Sequence, residues 1–167
     1  MAVINPVIPM PGALFTFGFN DTVPRTTTSR SGYPTLVLPY GITQVADYEF
    51  CPYFSGSNRY GIFPYCRGVL IPDSVTSIGN YAFYGWSSAT SLVIPDSVTS
   101  IGTNAFDGWS SCNDIYSHRQ TPATITANTF SNLKTGCRIH VPAGSAAAYR
   151  AAANWPKEPA VTYIEDL

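Results

Sequence analysis

Few side chains in these 167 residues are arranged for covalent chemistry. Asp73 and Asp96 each follow an Ile-Pro pair, at matching places in two similar stretches of chain. If those stretches stack, the two carboxylates lie about 5 Å from one another, near the separation used by retaining glycosidases. A plainer role accounts for both, because an Asp just after Ile-Pro bonds nearby backbone N–H groups in a turn. His118 and His140 are separated by nearly one such stretch, so a repeat could bring them together, but neither has a Cys or carboxylate at zinc spacing. Cys51, Cys66, Cys112 and Cys137 form no C-x-x-C pair, which leaves either two disulfides or buried thiols acting as small hydrophobes. The sequence has neither a Gly-x-Ser-x-Gly elbow nor a Gly-rich phosphate loop. It therefore assigns no catalytic residue, no metal and no cofactor.

Composition points toward surface contact instead. Hydrophobic residues make up 45% and charged residues only 11%, against about 25% charged in an ordinary soluble domain. Ser, Thr, Asn, Tyr and Gly must then cover much of the surface, which with a net charge of −1 suits a large, neutral partner. Nine scattered Lys and Arg make no basic stripe, so nucleic acid is not expected as a partner. No apolar run is long enough to span a membrane. Pro6, Pro9 and Pro11 interrupt the apolar N-terminus, which has no basic n-region, so no signal peptide is visible there.

The elements that would position these residues come from a repeat. Leu70-Ile71-Pro72-Asp73-Ser74-Val75-Thr76-Ser77-Ile78-Gly79 returns as Val93-Ile94-Pro95-Asp96-Ser97-Val98-Thr99-Ser100-Ile101-Gly102, a shift of 23 in the numbering. Phe83 recurs as Phe106 at the same shift and then as Phe130 after a shift of 24, while Phe50 precedes it by 33. Five positions before each Phe stand Val45, Ile78, Ile101 and Ile125, and three after it stand Tyr53, Trp86, Trp109 and Leu133. Units of this length cannot bury their apolar residues singly, whereas stacked copies build a ladder core. The spacing predicts one parallel strand per coil, ended by Pro39, Pro72 or Pro95, with the Ile and Phe ladders on the opposite wall. Residues 55–64, rich in Gly, Ser and Tyr, read as a loop inserted into the first interval.

On these residues the chain resembles the BspA-type leucine-rich repeat, whose units run strand, Ile-Pro, Ser-Val-Thr-x-Ile-Gly-x-x-Ala-Phe. The match is nearly complete at 69–83 and 92–106, degenerate at 36–50 and 115–130, and extends through Ile139-His140-Val141-Pro142 to the C-terminal end. The resemblance implies an α/β-type repeat solenoid: a short right-handed leucine-rich-repeat coil with a parallel β ladder and a C-terminal capping helix. It also implies non-catalytic binding or adhesion, commonly at microbial surfaces. The expected organisation is an N-terminal extended arm or cap over 1–35, a solenoid over 36–142 and a C-terminal cap over 143–167. In that last cap Ser145 would cap a helix over about 146–153, and Val161 to Ile164 would add an extended segment.

Three groups could contact a partner. Trp86 and Trp109 form either an inner ladder or an outer strip, and their place where family members often carry Cys points inward. Tyr53, Phe54, Tyr60, Phe63 and Tyr65 belong to the inserted loop and its flanks. Phe15, Phe17 and Phe19 share one face of a strand-like run, which caps the first coil or docks on another subunit. The expected partners are other protein subunits or a cell-surface protein or glycan, with a homo-oligomer left open. The functional expectation is a component of an assembled particle such as a bacteriophage virion; a secreted or cell-surface adhesin is the alternative, and a glycan-active enzyme a remote one.

Overall fold

The computed structural model describes residues 25–28, 34–51 and 65–167. In chain order the elements are β1 (Arg25–Thr28), β2 (Pro34–Val37), β3 (Gln44–Val45), β4 (Gly68–Leu70), β5 (Ser77–Ile78), β6 (Ser91–Ile94), β7 (Ser100–Ile101), β8 (Asp114–Ser117), β9 (Thr124–Ile125), β10 (Cys137–Val141), α1 (Ala146–Ala151) and β11 (Val161–Glu165). No helix among the described residues is long and apolar enough to cross a membrane.

The strands form two walls of a solenoid of about four coils. On the first wall β2 pairs with β4, β6 with β8, β8 with β10 and β10 with β11, all parallel. Between β4 and β6 the Thr90 N–H donates to the Arg67 carbonyl at 2.8 Å. The second wall is finer than the sequence pattern suggests. Val45, Ile78, Ile101 and Ile125 belong to the two-residue strands β3, β5, β7 and β9, which pair in that order with those residues in register. Each coil thus carries two strands rather than one.

Between the walls the aromatic residues stack coil upon coil. Successive centroids in the series Phe50, Phe83, Phe106 and Phe130 are 5.3, 5.4 and 5.6 Å apart. Trp86 and Trp109 lie parallel at 5.9 Å, each edge-on to the Phe of its own coil. Both indoles are fully buried, and their Nε1–H groups donate to the Phe50 and Phe83 carbonyls at 2.9 Å. This corrects the outer-strip reading of Trp86 and Trp109: their rings have no surface to offer a partner. Burial of so large a ring is tolerated because its one polar group bonds to the preceding coil.

Two backbone positions explain why the coils nest. Gly85, Gly108 and Asn132 take left-handed φ angles of 79°, 84° and 55° at one repeat offset, just before Trp86, Trp109 and Leu133; Gly and Asn tolerate that region best. At Gly79 and Gly102 the reason is space. A Cβ on Gly102 would stand 2.6 Å from the Asn80 backbone nitrogen and 2.7 Å from the Gly79 carbonyl carbon. The Gly102 N–H instead reaches the Ile78 carbonyl at 2.8 Å.

The ends are closed differently. At the N-terminal end β1 runs antiparallel to β2, so the ladder ends in a hairpin pair. At the C-terminal end Asn154 Nδ2 and Trp155 Nε1 donate to the Ile125 and Ala123 carbonyls at 2.9 Å, flanking β9. Tyr149 of α1 is buried, with its hydroxyl donating to the Arg119 carbonyl and bonded to Ser117 Oγ, both at 2.8 Å. The helix stops at Ala151 instead of 153, because Ala152 is already extended and Lys157 Nζ takes the Arg150 and Ala152 carbonyls. Ser145 does not cap α1 with its side chain. Its hydroxyl turns back to the Pro142 carbonyl at 2.6 Å, while Glu165 accepts the Ala146 N–H at 2.7 Å. A carboxylate serves that position well, since the first turn presents unpaired N–H groups.

Two stability outcomes follow from this packing. Trp109→Phe leaves the Phe83 carbonyl without its buried donor and should cost about 1–3 kcal/mol in urea unfolding, with Trp109→Ala costing about 3–5 kcal/mol. Gly102→Ala should cost about 1–3 kcal/mol by overpacking, since backbone rather than a movable side chain stands in the way. A Gly102→Ala variant as stable as the parent would contradict the close coil contact.

Candidate binding face

On the first wall, alternation along each strand sends one residue in and the next out. Leu36, Val69, Leu92, Ile115, Ile139 and Tyr163 point inward and are buried, each in register with its paired neighbours. The residues after them form an outward row of Val37, Leu70, Val93, Tyr116, His140 and Ile164. The residues before them form a second row of Thr35, Gly68, Ser91, Asp114, Arg138 and Thr162. Leu70 is 50% exposed, a large apolar side chain with half its surface in water.

Toward the C-terminal end the two rows become charged. Arg138 grips Asp114 with both forks, Nε to Oδ1 at 2.6 Å and Nη2 to Oδ2 at 2.8 Å. His140 bridges two carboxylates, with Nε2 3.1 Å from Asp114 Oδ1 and Nδ1 2.9 Å from both Asp166 oxygens. Its ring stacks on Tyr116 with centroids 4.4 Å apart. The Arg138 guanidinium foremost, and the His140 ring after it, hold the Asp114 carboxyl below the usual carboxylate range. The face therefore passes from apolar at Leu70 to a hydrogen-bonded polar cluster at Asp114, Arg138, His140 and Asp166.

The sequence-derived candidates fall elsewhere. Tyr65 is 67% exposed. Tyr53, Phe54, Tyr60 and Phe63 lie outside the described residues, as do Phe15, Phe17 and Phe19 and the inserted loop 55–64. Asp73 and Asp96 are exposed in turns after Pro72 and Pro95. His118 and His140 are not partners: the register puts Tyr116 opposite His140, and His118 is exposed just beyond the end of β8. The four cysteines are unbridged and buried.

Sequence reasoning missed the outward rows, and Tyr40 at 81% exposure with them. The signal was present: alternation within Leu92-Val93-Ile94 and Ile115-Tyr116-Ser117 marks Val93 and Tyr116 as outward, and Asp114 and Arg138 stand one repeat period apart. The strong repetition of the apolar ladder hid the residues between its rungs.

No curated protein gives a significant match to the sequence. The BspA type leucine-rich repeat region matches residues 61–149 in six copies. That stretch is more than half of the chain and holds β4 to β10, the strands that carry most of both outward rows. The chain belongs to the BspA-type leucine-rich repeat family.

Proposed function

We propose that this chain is a non-catalytic module that holds another macromolecule on the outward face of its first wall, as a structural or receptor-contacting component of an assembled particle such as a bacteriophage virion. The observation that carries this reading is the outward row, apolar at Val37 and Leu70 and at Val93 and Tyr116, each pair in register, before it reaches His140 and Ile164. An apolar row on a sheet face suits a macromolecular contact better than a small-molecule pocket. Low overall charge removes the repulsion that would keep a neutral partner away. Exposed Tyr65 joins the same contact, and Tyr53, Phe54, Tyr60 and Phe63 are assigned to it from the sequence. Phe15, Phe17 and Phe19 supply an apolar arm for a neighbouring subunit.

The alternative is a cell-surface adhesin, favoured by the family, whose repeats serve binding and adhesion. Purified full-length chain, incubated with washed bacterial cells and with intact phage particles, separates the two by where it is retained. Leu70→Asp and Tyr116→Asp should each weaken retention about tenfold, roughly 1.4 kcal/mol, whereas Ser100→Asp on the second wall should not. Equal retention of all three variants would exclude this face. A chain lacking residues 1–20 that stays folded yet no longer joins its particle identifies the arm as a docking segment; a misfolded one identifies it as a cap.

The Asp114 cluster gives the face an acid dependence. Its carboxyl sits below the unfolded value of about 3.9, so the stabilisation is fully present above that pH and disappears as pH falls through the lowered folded value. Asp114→Asn should lower Tm near neutrality, with the gap to the parent closing on the acid limb and shrinking in about 1 M salt. A gap constant with pH would show that the carboxylate charge is irrelevant.

A further inference from the structure

The cysteines are not equivalent. Arg138 N–H donates to the Asn113 carbonyl at 2.8 Å, which carries the β8–β10 register one residue beyond the Arg138–Asp114 pair. Cys137 therefore stands opposite Asn113, and Cys112 is its diagonal neighbour. At strand spacing of about 4.8 Å and a rise of about 3.3 Å per residue, their Cα atoms lie about 6 Å apart, within the range that a disulfide spans. Both side chains are fully buried. Each thiol donates to a nearby backbone carbonyl, Cys112 Sγ to Asp114 at 3.5 Å and Cys137 Sγ to Arg138 at 3.7 Å.

Their surroundings make the two thiols unlike. The nearness of Cys137, with burial, raises the Cys112 thiol, while the nearness of Cys112 draws Cys137 below the ordinary thiol range against burial and the Asp114 carboxylate, with Lys134 and Arg138 assisting. Cys66, by contrast, is pushed up to about 12 by burial. Cys137 is also the less sheltered by sequence, since it directly follows the exposed turn Lys134, Thr135 and Gly136.

We propose that Cys112 and Cys137 are a disulfide-forming pair that staples the start of the fourth coil to β10 when the protein meets a low-molecular-weight disulfide such as glutathione disulfide. The Cys137 thiolate attacks one sulfur of the reagent, forming a mixed disulfide and releasing one glutathione thiolate. Cys112 gives up its proton to that thiolate and attacks the Cys137 sulfur. The Cys112–Cys137 bond forms and the second glutathione leaves as thiolate, to be protonated from solvent. The protein pair loses two electrons and two protons, and the reagent disulfide is reduced to two thiols. The staple lies beside Asp114 and Arg138, so it also fixes the register of the charged end of the outward face.

The test is oxidation of the full-length chain by glutathione disulfide, both in the native state and during refolding, with peptide mapping by mass spectrometry. A 112–137 linked peptide reversed by dithiothreitol, with Tm raised by about 5–10 °C, is the expected result. Cys66→Ala should retain the shift and Cys137→Ala should abolish it. The map of the unsubstituted chain decides the matter should Cys137→Ala fail to fold. Stable glutathione adducts at Cys137, linkages through Cys51 or Cys66, an unmodified dithiol under both regimes, or a 112–137 link that lowers Tm would each overturn the assignment.

Discussion

Parallel strands pair at about 4.8 Å, and a coil keeps that distance around its whole circumference only where nothing thicker than backbone intervenes. Gly79 and Gly102 mark the narrowest place, and the N–H groups of both reach the carbonyls of Val45 and Ile78 at 2.8 Å. The fourth coil shows what happens when the constraint is relaxed. Thr126 takes the place that Gly102 holds one coil earlier, and its N–H bonds to Thr129 Oγ1 at 3.1 Å; that hydroxyl in turn donates to the Gly102 carbonyl at 3.0 Å. A side-chain oxygen has entered where backbone met backbone. The insertion falls at the end of β9, the last strand of the second wall, on the side that faces the preceding coil.

The same spacing dictates how the solenoid must end. A stacked coil leaves one edge of carbonyls and N–H groups with no next strand, and burying them unpaired is costly. The C-terminal cap answers with side chains: Asn154 and Trp155 supply the donors that a fifth short strand would have supplied beside β9. On the first wall the answer is a real strand, β11, fixed by Glu165 at the start of α1 and Asp166 at His140. One short segment thus joins the cap helix to the candidate face.

Much of this was legible in the sequence because repetition multiplies weak signals. One Ile-Pro-Asp means little, but its return beside Ile101, Phe106 and Trp109 at constant offsets fixed the stacking, and the Phe and Trp ladders follow it. The caps were less legible. Ser145 sits where an N-cap belongs, yet nothing local indicates that the distant Glu165 accepts the Ala146 N–H. Contacts made once leave no periodic trace. His140 likewise gave no hint of Asp166, since the pairing depends on β11 lying parallel to β10.

Burial and exposure are divided along each strand of the first wall. Inward residues such as Leu92 and Ile115 belong to continuous ladders, so a change there disturbs the coils above and below. Outward residues such as Leu70 and Val93 touch solvent and have only lateral neighbours. Replacement there changes what the face can grip at little cost to the coil, which is why binding character can differ from one end of the sheet to the other. The exception is the Asp114, Arg138, His140 and Asp166 cluster, where outward residues also tie the terminal strand down. At that end the fold itself depends on the outward side chains, so the charged rungs should be the least free to vary and the apolar rungs near Leu70 the most adaptable.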